Sequence, residues 1–204
     1  MLLYLIFWKA IQEINIINQK HGGMIYMKLI GLSGSLIGEK TPKLVSEVLN
    51  QAKHMNPNIE IELIDLRNYR VEFVDGRPLT SYNNDTQMIV RKILEADCFV
   101  IGTPIYQASI TGVLKNLFDH LPTNVFESKI VGIVTTGGSN KHFLVGENQL
   151  KPILSFFKSI IPSNNVFAHS SCFDKDSNLI DEDIINRVRR LAKEILFFQE
   201  RIND

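Results

Sequence analysis

A single recurring pattern restricts this chain more than any other feature. A short, wholly apolar run stops abruptly at small polar residues, and an amphipathic stretch follows. The runs are Leu29-Ile30-Gly31-Leu32 before Ser33-Gly34-Ser35, and Cys98-Phe99-Val100-Ile101-Gly102 before Thr103-Pro104. A third, residues 129–134, stops at Thr135-Thr136-Gly137-Gly138-Ser139. Strands without polar alternation are buried on both faces, which requires a parallel sheet covered by helices. The stretches between them supply those helices. Thr41 is expected to cap the first, with Pro42 at its first helical position and Leu44, Val45, Val48 and Leu49 on its apolar face. Asp85 is expected to cap a second, carrying Met88, Ile89, Ile93 and Leu94. A third helix carries Val113, Leu114, Leu117 and Phe118, a fourth runs from His142 to Phe157, and a last from Asp181 to Phe198. Residues 59–66 alternate, with Ile59, Ile61 and Leu63 on one face, and Val166-Phe167-Ala168 completes five strands. The chain reads as one α/β domain over residues 27–204.

Acidic and basic residues balance at 22 each, so no net field draws nucleic acid or an anionic membrane. Cys98 and Cys172 show no metal or CxxC spacing and read as two free thiols of a reducing cytoplasm, with a redox-active pair as the alternative. No metal site and no catalytic acid, base or nucleophile is assigned. The apolar start, Met1 to Trp8, falls far short of the roughly 20 residues that a membrane span needs. An added helix, an interfacial anchor and an upstream extension remain open for residues 1–26. The extension, one that the natural protein lacks, is favoured, because the first strand begins cleanly at Met27.

In an open parallel sheet, ligands sit beyond the carboxyl ends of the strands, where strand order reverses. Three loops occupy such positions. Residues 33–41 join a strand to a helix N-terminus, whose unpaired N–H groups favour an anion. Gly34 allows a close turn there, and Ser35 and Thr41 offer hydroxyls. Residues 103–119 place Tyr106 just past a strand end, where it suits a flat ring or an interface. Ser109 and Thr111 are candidates to cap the next helix or bond a ligand, and Lys115 to reach an anion or a partner. Gly137 and Gly138 expose backbone N–H groups, and His142 near a helix start is expected to be neutral.

Together these loops resemble the NADPH-dependent FMN reductase family. Residues 103–119 are similar to its P-x-Y-x-x-S-x-x-G-x-L-K-x-x-x-D segment. Thr136 to Ser139, with His142, Leu144, Leu150, Lys151 and Pro152, resembles the reductases that supply flavin to alkanesulfonate monooxygenases. The resemblance implies a flavodoxin-like three-layer sandwich with a five-stranded parallel sheet in the order 2-1-3-4-5. It implies FMN as cofactor and NADPH (or NADH) as hydride donor. Ser33, Ser35 and Thr41 would hold the phosphate, Pro104, Ile105, Tyr106 and Ser109 the ribityl chain or ring, and Thr136, Gly137, Gly138 and Ser139 the pyrimidine edge. Reduction builds negative charge at that edge, which fixed N–H donors stabilise. Electrons would pass to a small-molecule acceptor (a flavin, quinone, azo or nitro compound), from a cytoplasmic homodimer or homotetramer.

Two departures stand out. Ile37 occupies the place of an arginine common in the first loop, so the phosphate is either held more weakly or served by Lys40 or Lys43. Asn148 replaces a tyrosine that, in the monooxygenase-supplying members, belongs to a helical insertion tied to flavin release. Its loss points to retained FMN and a different acceptor. A flavodoxin-type electron carrier without nicotinamide chemistry is the alternative from another class, and an interaction protein that has lost its cofactor is a third.

Overall fold

Runs buried on both faces satisfy their backbone groups only by pairing side by side, and five of them do so. The computed structural model describes residues 27–203, so the expectations for residues 1–26 fall outside the described residues. Strands β1 (Lys28–Ser33), β2 (Glu60–Asp65), β3 (Cys98–Pro104), β4 (Ile130–Gly137) and β5 (Val166–His169) form one sheet. Its order is β2-β1-β3-β4-β5, and every pairing is parallel. This is the expected order, and it puts the reversal between β1 and β3, where ligands bind in such sheets.

Helices α1 (Lys40–Met55) and α5 (Glu182–Asn203) cover one face, while α2 (Asn84–Glu95), α3 (Gly112–Asp119) and α4 (Lys151–Phe156) cover the other. Side chains alternate accordingly. Leu29, Val100 and Val134 pack toward α1 and α5, and Ile30, Ile101 and Ile133 pack toward the opposite layer. Each such fully buried aliphatic contributes about 1.5–3 kcal/mol relative to exposure. Gly102 has a specific packing role: a Cβ there would stand 2.3 Å from Val45 Cγ2. Its absence lets α1 lie close across β3, which brings the helix N-terminus over the strand ends.

Several expected element ends move. Helix α1 is not capped by Thr41: Glu39 occupies the cap position without a side-chain cap bond, and Pro42 is the third helical residue. The Thr41 hydroxyl instead bonds the Thr136 hydroxyl at 2.7 Å, a tertiary contact that outcompetes the local one. Helix α2 is capped by Asn83, which accepts from Thr86 N at 2.9 Å, whereas Asp85 accepts from Arg70 N. Strands β3 and β4 run on to Pro104 and Gly137, because Thr103 pairs with Thr135 and Pro104 with Thr136. The expected helix from His142 to Phe157 is broken into a 3₁₀ turn (Asn140–His142), a π-helical turn (Gly146–Leu150) and α4. Helix α5 starts after Asp181, which accepts from Ile184 N at 3.1 Å, and runs five residues beyond Phe198.

Candidate functional site

The strand extensions build one cleft. Because Pro104 pairs with Thr136, the second and third loops leave the sheet side by side, and Ile105 N donates to the Thr136 carbonyl at 2.8 Å. Helix α1 closes the third side through the Thr41–Thr136 hydroxyl pair. The resulting cleft, about 250 Å³, is lined by Thr41, Pro104, Ile105, Tyr106, Thr136, Gly137 and Gly138 among the expected residues. It is also lined by Ile37, Gly38, Glu39 and Lys40, and by Ser170 and Ser177. A larger hollow of about 580 Å³ lies between residues 140–147, the start of β5 and Arg187 of α5. It contains no residue of the first two loops, so size is a poorer guide here than the placement of strand ends and helix N-terminus.

Four expected residues stand outside the cleft lining. Ser35 is fully buried, and its hydroxyl donates to the Ile37 carbonyl at 2.7 Å, closing the first loop on itself. Ser33 is fully buried at the end of β1, and its hydroxyl has no hydrogen-bond partner among the described residues. Ser109 donates to Gln149 Oε1 at 2.7 Å, and Ser139 accepts from Lys141 N at 3.3 Å. Gly34 is required by packing: its Cβ would meet Leu114 Cβ at 2.8 Å, and its N–H donates to the Gly102 carbonyl at 2.7 Å. Thr111 caps α3 and also donates to the Gly34 carbonyl at 2.5 Å, while Lys115 pairs with Asp119.

Tyr106 is 45% exposed at the base of a two-residue turn to Ser109. Gln107 and Ala108 both have left-handed backbones, at φ 49° and 58°. Non-glycine residues there cost of order 1 kcal/mol each, so something must hold the turn. Gln149 does so from the π-helical turn, donating to the Ala108 carbonyl at 2.8 Å and accepting from Ser109. Gly137 is confined, since a Cβ would stand 3.2 Å from Phe167 and 3.3 Å from His142 Nδ1. Gly138 is exposed and among the described residues would meet only Ser170 Oγ, at 3.7 Å, so none of them requires a glycine there.

Lys40 and Lys43 part ways. Lys40 lines the cleft and donates to the Ser170 carbonyl at 3.1 Å, whereas the Lys43 ammonium is turned to Asp176 O and Asn178 Oδ1. The residue that sequence reasoning missed is Arg67, whose guanidinium donates to the Gly38 carbonyl at 3.0 Å and grips Glu39. A set of groups perturbed by burial sits at the opposite end of the sheet. Burial raises the Cys98 and Asp97 acids and holds Lys129 down to about 8. Those groups begin β3 and β4, far from the cleft, and neither cysteine is in a disulfide.

The fold defines the protein's class: a doubly wound, flavodoxin-like α/β protein with its strand order reversing between β1 and β3. A flavodoxin from the domain Archaea superposes with a TM-score of 0.58 at 11% identity, covering 87% of this chain and all of that one. The apo form of the NADH:FMN oxidoreductase EMOB superposes at 0.68 with 23% identity, covering 86% and 89%. The family described as NADPH-dependent FMN reductase matches residues 27–174, and the chain belongs to it. The NAD(P)H-dependent FAD/FMN reductase of Geobacillus thermodenitrificans (strain NG80-2) is 49% identical over 170 residues, which span 83% of this chain and 92% of that relative. The protein is therefore an oxidoreductase enzyme using FMN and NAD(P)H, and its electrons leave on a small-molecule acceptor. Among the described residues no helix is long and apolar enough to cross a membrane.

Proposed function

We propose that the cleft between α1, Tyr106 and Gly137–Gly138 is the FMN site, with the phosphate at the N-terminus of α1 and the ring between Tyr106 and the glycines. The observation that carries this reading is the convergence of a 16-residue helix N-terminus, an exposed aromatic and a bare glycine backbone on one cleft. The residues fit the group. Ser33 offers a buried hydroxyl without a partner among the described residues, and Gly138 leaves room that a side chain would fill. Thr41 and Thr136 share one hydrogen bond between two hydroxyls, so one hydroxyl proton remains free to donate to a ligand oxygen. Lys40 supplies the positive charge that Ile37, 76% exposed, does not. Ser35 and Ser139 act through loop shape, and Ser109 through the Gln149 brace.

Bound FMN supplies hydride acceptance from NADPH (or NADH) and electron delivery to the acceptor. Backbone N–H groups at Gly137 and Gly138 stabilise the negative charge that reduction brings, because donors fixed in place need no reorganisation. Tyr106 supports the ring, and its position is held by Gln149. FMN is retained as a bound cofactor, and the acceptor is a free flavin, quinone, azo or nitro compound. Asn148 supports retention, since it is exposed in the π-helical turn where the flavin-releasing relatives carry a tyrosine. A cytoplasmic homodimer or homotetramer is proposed with it, supported by exposed Phe143, Leu144 and Phe156 near the cleft's third loop and the helix beyond.

The test is a fluorescence titration with FMN and with riboflavin. FMN should bind tighter by about 1.5–3 kcal/mol, the worth of charge-assisted phosphate contacts. Equal affinities would remove the phosphate from the α1 terminus.

A further inference from the structure

Glu39 poses a problem for an anion site at the N-terminus of α1. Its carboxylate precedes the helix directly and lines the same cleft as Lys40 and Thr41. A carboxylate at that position is itself attracted to the helix N–H groups and would compete with a phosphate for them. It makes no such bond: the cap position has no side-chain cap. Both carboxylate oxygens are instead taken by Arg67, Oε1 by Nη1 and Oε2 by Nη2 at 3.1 Å.

Arg67 is not free to follow Glu39 elsewhere. Its Nε donates to both oxygens of Asp65, at 2.9 and 3.1 Å, and Nη2 donates to Asp65 Oδ2 at 2.5 Å. Asp65 is only 4% exposed at the end of β2, so this fork is anchored in the sheet. A planar guanidinium can hold one carboxylate on each of two edges, which an ammonium cannot. The remaining donor contact, from Nη1 to the Gly38 carbonyl, fixes the loop at the one point where its backbone is left-handed, φ 80°.

We propose that Arg67 is a positioning residue for the phosphate end of the cleft. It draws the Glu39 carboxylate off the N-terminus of α1 and so sets how strongly the protein prefers a phosphorylated flavin over an unphosphorylated one. The inference rests on the flavin reading above and adds a residue from a segment outside every loop of the site. The pairing persists across the physiological range, because hydrogen bonds from Arg67 hold the Glu39 carboxyl below its ordinary value. A purely structural tie would behave differently: it would matter equally to any flavin.

The test measures dissociation constants for FMN and riboflavin on the full chain, at low and high salt. Glu39→Gln keeps the Asp65–Arg67 fork and removes the competing charge. It should tighten FMN about threefold to tenfold, leave riboflavin within about twofold, and lose that gain in high salt. Arg67→Met should weaken FMN by about tenfold or more with little change for riboflavin, and Arg67→Met with Glu39→Gln should recover most of the loss. Circular dichroism reports folding, and if Arg67→Met does not fold the Glu39→Gln result decides alone. Equal weakening of both flavins by Glu39→Gln would overturn the proposal and leave Arg67 as a loop tie. A parent protein that binds neither flavin would overturn the flavin reading itself, an outcome distinct from FMN binding with the wrong response to Glu39→Gln.

Discussion

Replacing Gly138 by valine separates what the fold needs from what the ligand needs. A Cβ at Gly138 meets only Ser170 Oγ, at 3.7 Å, an ordinary contact, and the residue is exposed with no left-handed backbone. The stability change should therefore stay within about 0.5 kcal/mol, as for surface substitutions away from special features. The neighbouring Gly137→Val is the contrast. Its first added carbon lies 3.2 Å from Phe167 and 3.3 Å from His142, and overpacking of that kind costs about 1–3 kcal/mol. With FMN seated against the two N–H groups, Gly138→Val should weaken binding and slow reduction by NADPH by about 10²–10³, the range seen when one well-placed donor to a developing anion is lost. Stopped-flow bleaching of bound flavin gives the rate, and thermal melts monitored by circular dichroism give the stability. A Gly138→Val protein that melts with the parent and bleaches at the parent rate would refute the placement of the ring.

Three further outcomes are expected. Gln149→Ala removes both side-chain bonds that brace the left-handed turn at Gln107–Ala108, leaving only the Tyr106–Ser109 backbone pair, and should raise the FMN dissociation constant severalfold while the melting temperature stays close to that of the parent; unchanged affinity would mean that the backbone pair suffices. Lys129 is held down to about 8 from its ordinary 10.5 by burial, so between those values the unfolded chain binds more protons and stability rises with pH, by up to about 3 kcal/mol. Below about pH 8 the cost of burying the ammonium is present in full, and denaturant melts of Lys129→Met should lack the parent's rise across that window. Removing residues 1–26 should leave flavin reduction intact, because β1 begins at Lys28; an insoluble or colourless product would show that the extension packs onto the domain.

The sheet was legible because burial on both faces leaves a plain signature: Leu29–Leu32 and Phe99–Ile101 have no polar alternation, and only one architecture accommodates such runs with helices between them. The second and third loops were legible for a related reason, since they end adjacent strands. Helix caps were legible only in part: Thr111 does cap α3, as its position suggested, but two other expected caps fail. Thr41 and Asp85 have the chemistry of caps, but each is claimed by a partner distant in sequence, Thr136 and the Arg70 N–H, while Glu39 and Asn83 take the cap positions. The fourth helix misled because its apolar spacing does not distinguish an α turn from the π-helical turn at Gly146–Leu150. Arg67, Ser170 and Ser177 reach the site only through tertiary packing. Arg67 arrives from the end of β2 and the two serines from beyond β5, and no local pattern announces either.

A crystal structure of the protein soaked with FMN shows whether the flavin lies at the β1–β3 reversal. The phosphate is expected against the backbone N–H groups that open α1, beside Lys40 and Thr41, with the ring between Tyr106 and Gly137–Gly138. Flavin density in the larger hollow beside Arg187, with the α1 terminus vacant, would contradict this placement.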